Sequence, residues 1–201
     1  MKSLVLDCGL WQSNLCKFMF YSTYKCLESE LSMSTTYKKQ GSEGDHKPPK
    51  IIEVRPCRED NLDEIYGIEW LNFPFPWSPF ALRDYLRSGM GNFLVATDGN
   101  EILGYAIATV EKQINQRIIE RGHLLKIVVR KEHRRKGVGS SLLRALVRNM
   151  EQNGVEEILL EVRVENPQAR ALYQKFGFKD REYLENFYLN GDDALLMTKK
   201  L

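Results

Sequence analysis

The stretch Arg134-Arg135-Lys136-Gly137-Val138-Gly139 joins an apolar run to an amphipathic one, and this junction limits the fold more than any other feature of the chain. Upstream, Leu124-Leu125-Lys126-Ile127-Val128-Val129 is rich in β-branched residues and predicts a strand. Downstream, Leu142, Leu143, Leu146, Val147 and Met150 recur at helical spacing. A helix start leaves four backbone N–H groups unpaired and carries about half a positive charge. Glycine lets phosphate oxygens approach those N–H groups closely, and basic side chains beside them add charge. Arg134 to Gly139, with Ser140 in the first turn, is therefore expected to hold a pyrophosphate.

The 201 residues suffice for one domain with a real core and a tail. The composition shifts near residue 50. Residues 34–49, Ser-Thr-Thr-Tyr-Lys-Lys-Gln-Gly-Ser-Glu-Gly-Asp-His-Lys-Pro-Pro, have linker or disordered composition, and residues 1–33 show no clear period. Residues 1–49 are thus read as an N-terminal extension, with Met33 a plausible true start, and residues 50–201 as the folded domain. Leu10 to Tyr24 is moderately apolar, but Lys17 and the polar Gln12, Ser13 and Asn14 argue against a signal peptide or a membrane span. The four cysteines, Cys8, Cys16, Cys26 and Cys57, lack zinc-site spacing and suit free thiols in a reducing cytoplasm. A formal net charge of +2 speaks against nucleic acid as a partner, despite the basic run Arg130 to Lys136.

From residue 50 the pattern is regular. Strands are expected over residues 50–55, 92–97, 101–111, 122–130, 155–164, 178–189 and 194–198. Helices are expected over residues 62–71, 78–88, 137–153 and 168–176. Residues 112–121 read as a loop or strand edge, and Asp98-Gly99-Asn100 and Asn190-Gly191 as turns. This order makes an α+β domain with a mixed, mostly antiparallel sheet flanked by helices. The crossover through helix 137–153 makes strands 122–130 and 155–164 parallel.

Arg134-x-x-Gly137-x-Gly139 resembles the signature of the GNAT acetyltransferase superfamily. Leu160 to Asn166, Ala171 to Phe178, Phe75-Pro76-Trp77-Ser78 and Gly191-Asp192-Asp193-Ala194 narrow the likeness. They resemble ribosomal-protein-alanine N-acetyltransferases and their archaeal N-terminal acetyltransferase relatives over about residues 51–201. The Phe75-Pro76-Trp77 loop is similar to the bacterial type; some archaeal relatives carry an acidic residue there. The resemblance implies a GNAT fold whose central parallel strands splay apart. It also implies acetyl-CoA as donor, a protein N-terminal α-amine as acceptor, and no required metal. An α-amine of pKa about 7.8 is readily deprotonated near neutral pH, whereas a lysine at about 10.4 is not, so a modest base suffices.

Glu161 lies in the apolar run Ile158 to Val162, where a carboxylate is costly unless exposed, paired with Arg163, or used. The resemblance makes it the general base. Tyr173 is either a packing aromatic or, by resemblance, the group that protonates or hydrogen-bonds the leaving thiolate. Asn166, before Pro167, suits a helix cap and by resemblance also binds the cofactor. His123 is a surface or core histidine, or an active-site residue that assists Glu161 if the two face each other. Backbone groups of Ile127, Val128 and Val129 are implied to pair with pantetheine and thioester. Trp77 and Tyr188 are either packing residues or walls of the peptide groove. The expected enzyme is cytoplasmic, a monomer or weak dimer, acting on ribosomal protein or nascent chains and not at a membrane. Transfer to a small amine or lysine side chain stays open, as does a non-catalytic acyl-CoA-binding module.

Overall fold

The sheet is continuous except at its centre, where two parallel neighbours part. The computed structural model describes residues 5–7, 51–89, 91–114 and 118–201, with residues 5–7, 112–114 and 118–119 as backbone alone. The strands are β1 (Val5–Asp7), β2 (Glu53–Pro56), β3 (Gly91–Thr97), β4 (Ile102–Ile114), β5 (Ile118–Val129), β6 (Glu157–Arg163), β7 (Lys179–Leu184) and β8 (Ala194–Lys200). The α-helices are α1 (Leu62–Asn72), α2 (Pro79–Ser88), α3 (Val138–Gln152) and α4 (Pro167–Lys175). Strand order is β2-β3-β4-β5-β6-β8-β7, and β1 adds to β5. All pairings are antiparallel except β5 with β6.

Local sequence accounts for these elements. The Ser78 side chain accepts from Ala81 N–H, Pro79 opens α2, and Gly89 closes it in the left-handed conformation at φ 63°. In α3, Leu142, Leu143, Leu146, Val147 and Met150 are buried against Leu124, Ile127 and Val129 of β5 and Ile158, Leu160 and Val162 of β6. Each such side chain contributes about 1.5–3 kcal/mol on burial. Helices α3 and α4 cover this face, while α1 and α2 cover the other: Lys126 of β5 bonds Glu69 of α1, and the Tyr85 hydroxyl of α2 donates to Ala108 O at 2.6 Å.

A β-bulge decides which residues of β5 face which way. Ile107 pairs with Lys126 and Ala108 with Leu124, so Leu125 is an extra residue. Leu124 and Ile127 both pack toward α3. Without the bulge, Lys126 would share Leu124's face. With it, Lys126 turns to the face that carries His123.

The parallel pairing is short. Arg121, Gly122 and His123 face Glu157, Ile158 and Leu159, and the ladder then stops although both strands continue. The expected splay is present. Strand β1 lies on the β5 edge so exposed, Val5 opposite Val128 and Asp7 opposite Lys126.

Two expectations are corrected. Residues 112–114 and 118–121, expected in a loop or strand edge, are paired strand. The β4–β5 ladder continues through Lys112↔Glu120 to Ile114↔Ile118, because antiparallel backbone pairing propagates regardless of side-chain polarity. The strand expected over residues 178–189 stops at Leu184. Asn186 adopts φ 50°, and the Asp193 carboxylate accepts both its N–H and the Tyr183 hydroxyl, so a side-chain-held loop replaces the ladder. The expected turn lies inside this loop, with Gly191 N–H donating to Tyr188 O at 2.8 Å. Apart from Val5–Asp7, the expected extension 1–49 and the Met33 start lie outside the described residues, as do Cys8, Cys16 and Cys26.

Two glycines make opposite predictions. A Cβ at exposed Gly67 of α1 meets nothing within 4 Å, so Gly67→Ala is expected to stabilise the protein by about 0.5–1 kcal/mol. A Cβ at Gly104 would lie 2.3 Å from Val128 O, so Gly104→Ala is expected to cost about 1–3 kcal/mol. Thermal melts read both signs. Burial also pushes the Cys57 thiol up to about 12, which keeps it neutral. Iodoacetamide at pH 8 should leave Cys57 unmodified in the native protein and label it once guanidinium unfolds the chain.

Candidate active site

The point where β5 and β6 part brings two predicted residues together. His123 and Glu161 project to the α1–α2 face, and His123 Nε2 lies 2.8 Å from Glu161 Oε2. Glu161 is 8% exposed, so this partner offsets much of the cost of placing a carboxylate there. The spacing follows from the sheet: His123 pairs with Leu159, and Glu161 is two residues further on the same face of β6. Arg163 continues that face. It does not pair with Glu161; its guanidinium bonds Asp192 and stacks 3.7 Å over the ring of Tyr188, which is itself buried.

Above the splay, the loop after β5 has the form of an anion site. Gly137 caps α3 at φ 88°, Arg135 is also left-handed at φ 63°, and the first intrahelical bond of α3 is Ser141 N–H to Gly137 O at 2.9 Å. The N–H groups of Val138, Gly139 and Ser140 thus stand at the open helix start. Arg135 and Lys136 are exposed beside them. Arg134 is not. Its Nε donates to Val129 O at 3.0 Å and its Nη2 to Asn72 Oδ1 at 2.7 Å. It ties the end of β5 to the end of α1, because a strand-end carbonyl needs a donor once its ladder has ended.

The pantetheine expectation rests on the β5 edge. That edge accepts an extended backbone over Lys126 to Val128, as its pairing with β1 demonstrates. An extended chain bearing amides suits the same N–H and C=O groups, so such an arm and β1 exclude each other. The side chains of Ile127 and Val129 pack in the core. Asn166 caps α4, accepting from Ala169 N–H at 3.1 Å. Tyr173 is fully buried in the core cluster with Val129, Val138 and Val162, its ring 5.7 Å from that of Phe178. Among the described residues, no group of three or more His, Cys, Asp or Glu side chains is placed to hold a metal ion. No helix among them is long and apolar enough to cross a membrane.

Trp77 belongs to a cluster that the sequence reading missed. Its backbone N–H donates to Glu69 Oε2 at 2.9 Å, and Lys126 Nζ lies 2.9 Å from both oxygens of the same carboxylate. The Tyr105 hydroxyl also donates to Glu69. Lys126 Nζ sits 3.9 Å from the Phe73 ring centroid and 4.9 Å from that of Trp77. The signal was present. Lys126 interrupts an apolar strand as Glu161 does, and Glu69 falls on the stripe Leu62, Ile65, Ile68 that α1 buries.

Residues 62–178 match the acetyltransferase (GNAT) family. An N-alpha-acetyltransferase of Saccharolobus solfataricus is 36% identical over 155 residues, 74% of this chain and 92% of that protein. The ribosomal-protein-S18-alanine N-acetyltransferase from Escherichia coli superposes with a TM-score of 0.64 at 26% identity, over 75% of this chain and 94% of that one. Arabidopsis thaliana NAA60 in complex with acetyl-CoA reaches a TM-score of 0.68 at 19% identity, over 75% of this chain and 100% of that one, a likeness of fold. A strand, glycine-capped helix and splayed parallel pair in this order, matched over more than half of the sequence, make this chain a member of the GNAT acetyltransferase family.

Proposed function

We propose that this enzyme transfers acetyl from acetyl-CoA to the N-terminal α-amine of proteins, by direct attack with both substrates bound. The carrying observation is the 2.8 Å contact between His123 and Glu161 at the point where β5 and β6 separate. The N-alpha-acetyltransferases among its relatives support the acceptor class.

Acetyl-CoA supplies an acetyl group activated as a thioester; as the C–N bond forms the C–S bond breaks, and CoA departs as the thiol. The N–H groups of Val138, Gly139 and Ser140 hold its pyrophosphate, with charge from Arg135 and Lys136. The backbone of Ile127, Val128 and Val129 holds its pantetheine arm. Asn166 fixes the start of α4 beside it. Glu161 accepts the proton that the amine loses as the new C–N bond forms. His123, with Nε2 protonated, donates to Oε2, orients the carboxylate and leaves Oε1 for the amine. Tyr173 donates to the departing sulfur. Trp77 and Tyr188 flank the acceptor peptide. The acceptors are ribosomal protein or nascent chains, met in the cytoplasm by a monomer or weak dimer, and residues 50–201 suffice for catalysis.

A panel of short peptides differing in the first two residues, with free thiol as the readout, tests the reaction. Turnover on particular free N-termini, and none on the same peptides with blocked N-termini and internal lysines, is expected. Turnover only on polyamines or lysine side chains would replace the acceptor. Glu161→Gln should lower kcat by about 10²- to 10⁴-fold and leave acetyl-CoA binding unchanged. A wild-type rate in that variant would remove Glu161 as the base. The wild-type rate should rise with pH through the amine pKa, about 7.8 for an α-amine, because only the neutral amine attacks.

A further inference from the structure

The geometry points to Glu69 and Lys126 as a positioning pair that fixes the loop Phe73–Trp77 as a wall of the acceptor cleft and so sets which first residue the enzyme accepts. This rests on the reading that the acceptor is a peptide α-amine.

Both groups are buried, Glu69 at 0% and Lys126 at 1% exposure. Burying opposite charges rarely adds net stability over apolar packing, so the pair calls for another reason. The geometry offers one. The Glu69 carboxylate, carried by α1, gathers donors from three places: Tyr105 from β4, Lys126 from β5, and the Trp77 N–H from the loop. The loop leaves α1 at Phe73, whose N–H still bonds Glu69 O at 3.0 Å, and enters α2 after Ser78. Between those points Pro74 and Pro76 cannot donate backbone hydrogen bonds. The Trp77 N–H to Glu69 bond is therefore the tie that sets how far the loop stands from the sheet. The ammonium lies under the Phe73 and Trp77 rings and fills the space beneath them, giving the loop a floor.

This floor adjoins the acceptor site. The bulge at Leu125 puts Lys126 on the same face as His123, three residues away along β5, and His123 contacts Glu161. A shift of the loop moves one wall of the space in front of Glu161 while leaving β5's backbone edge and the Gly137–Gly139 helix start in place. The pair thus acts on the acceptor side of the reaction and not on the acyl donor.

The test compares two double variants with the wild type, each checked by thermal melting and circular dichroism. Glu69→Met with Lys126→Met removes both charges at similar volume, leaves no lone buried ion, and takes away the acceptor for the Trp77 N–H. Glu69→Gln with Lys126→Met also removes both charges but keeps an acceptor oxygen. The first is expected to lower peptide kcat/KM by about 10- to 100-fold, mainly through KM, and to level the preference among peptides beginning with Ala, Ser and Met. The second should keep most of the preference, and acetyl-CoA KM should stay at the wild-type value in both. Wild-type peptide KM and preference in a folded Met–Met variant would overturn the proposal, as would a matching rise in acetyl-CoA KM. If that variant does not fold, hydrogen exchange on the wild type decides. The Trp77 amide must exchange as slowly as the α1 amides, and exchange at a free-loop rate would overturn the proposal. If the wild type acetylates no peptide, the acceptor reading fails on its own, and the same comparison is read on whichever amine is acetylated.

Discussion

Parallel pairing between β5 and β6 lasts for three residue pairs and then ends, and the rest of the site depends on where it ends. The last pair is His123 with Leu159, and the bulge at Leu125 follows at once. A bulge sharpens local twist and re-aims the strand that carries it. Here it turns β5 away from β6, leaves a backbone edge inside the sheet, and moves Lys126 to the face of His123. Had the ladder run on, the edge would be satisfied by β6. No extended amide chain could then enter, and Glu161 would sit in an unbroken sheet.

Two buried carboxylates on one face are held in contrasting ways. Among the described residues Glu161 meets one hydrogen-bonding partner, an imidazole whose role depends on its tautomer. Glu69 meets an ammonium, a phenol and a backbone amide. A carboxylate with every lone pair engaged has nothing left to accept and serves as an anchor. One with an oxygen to spare retains capacity for a proton. Telling such groups apart thus needs the whole set of donors around each, not its burial.

Much of the fold was legible from residues alone. Helix α2 could be bounded to the residue from Ser78, Pro79 and Gly89, because caps act through local backbone geometry. The long helix and the glycine junction were equally clear. Other parts were hidden for identifiable reasons. The extension of β4 and β5 past residue 112 depends on partner backbone and not on side-chain period. The loop after Leu184 depends on Asp193 capping Asn186 from seven residues away. Of the candidate site, Glu161 is readable as a charge out of place and His123 by resemblance, and their contact required the sheet register. For Arg134 the sequence shows its charge, while its two inward hydrogen bonds appear only in the fold. The role of Lys126 needed the bulge, and no alternation pattern reveals a bulge in advance.

Lys126 carries a second consequence, and it belongs to the unfolded chain. Leu124 to Val129 is a run of apolar, largely β-branched residues without proline or glycine, the kind of segment that stacks into cross-β assemblies. The folded protein keeps this run as an internal edge, which is the form of strand most open to pairing with another molecule. The one charge within the run is Lys126. Inside the fold it is neutralised by Glu69; in a nascent or unfolded chain it is bare, and stacking identical segments would bring like charges together. The lysine that is buried against Glu69 in the folded protein therefore also guards against aggregation before the fold exists.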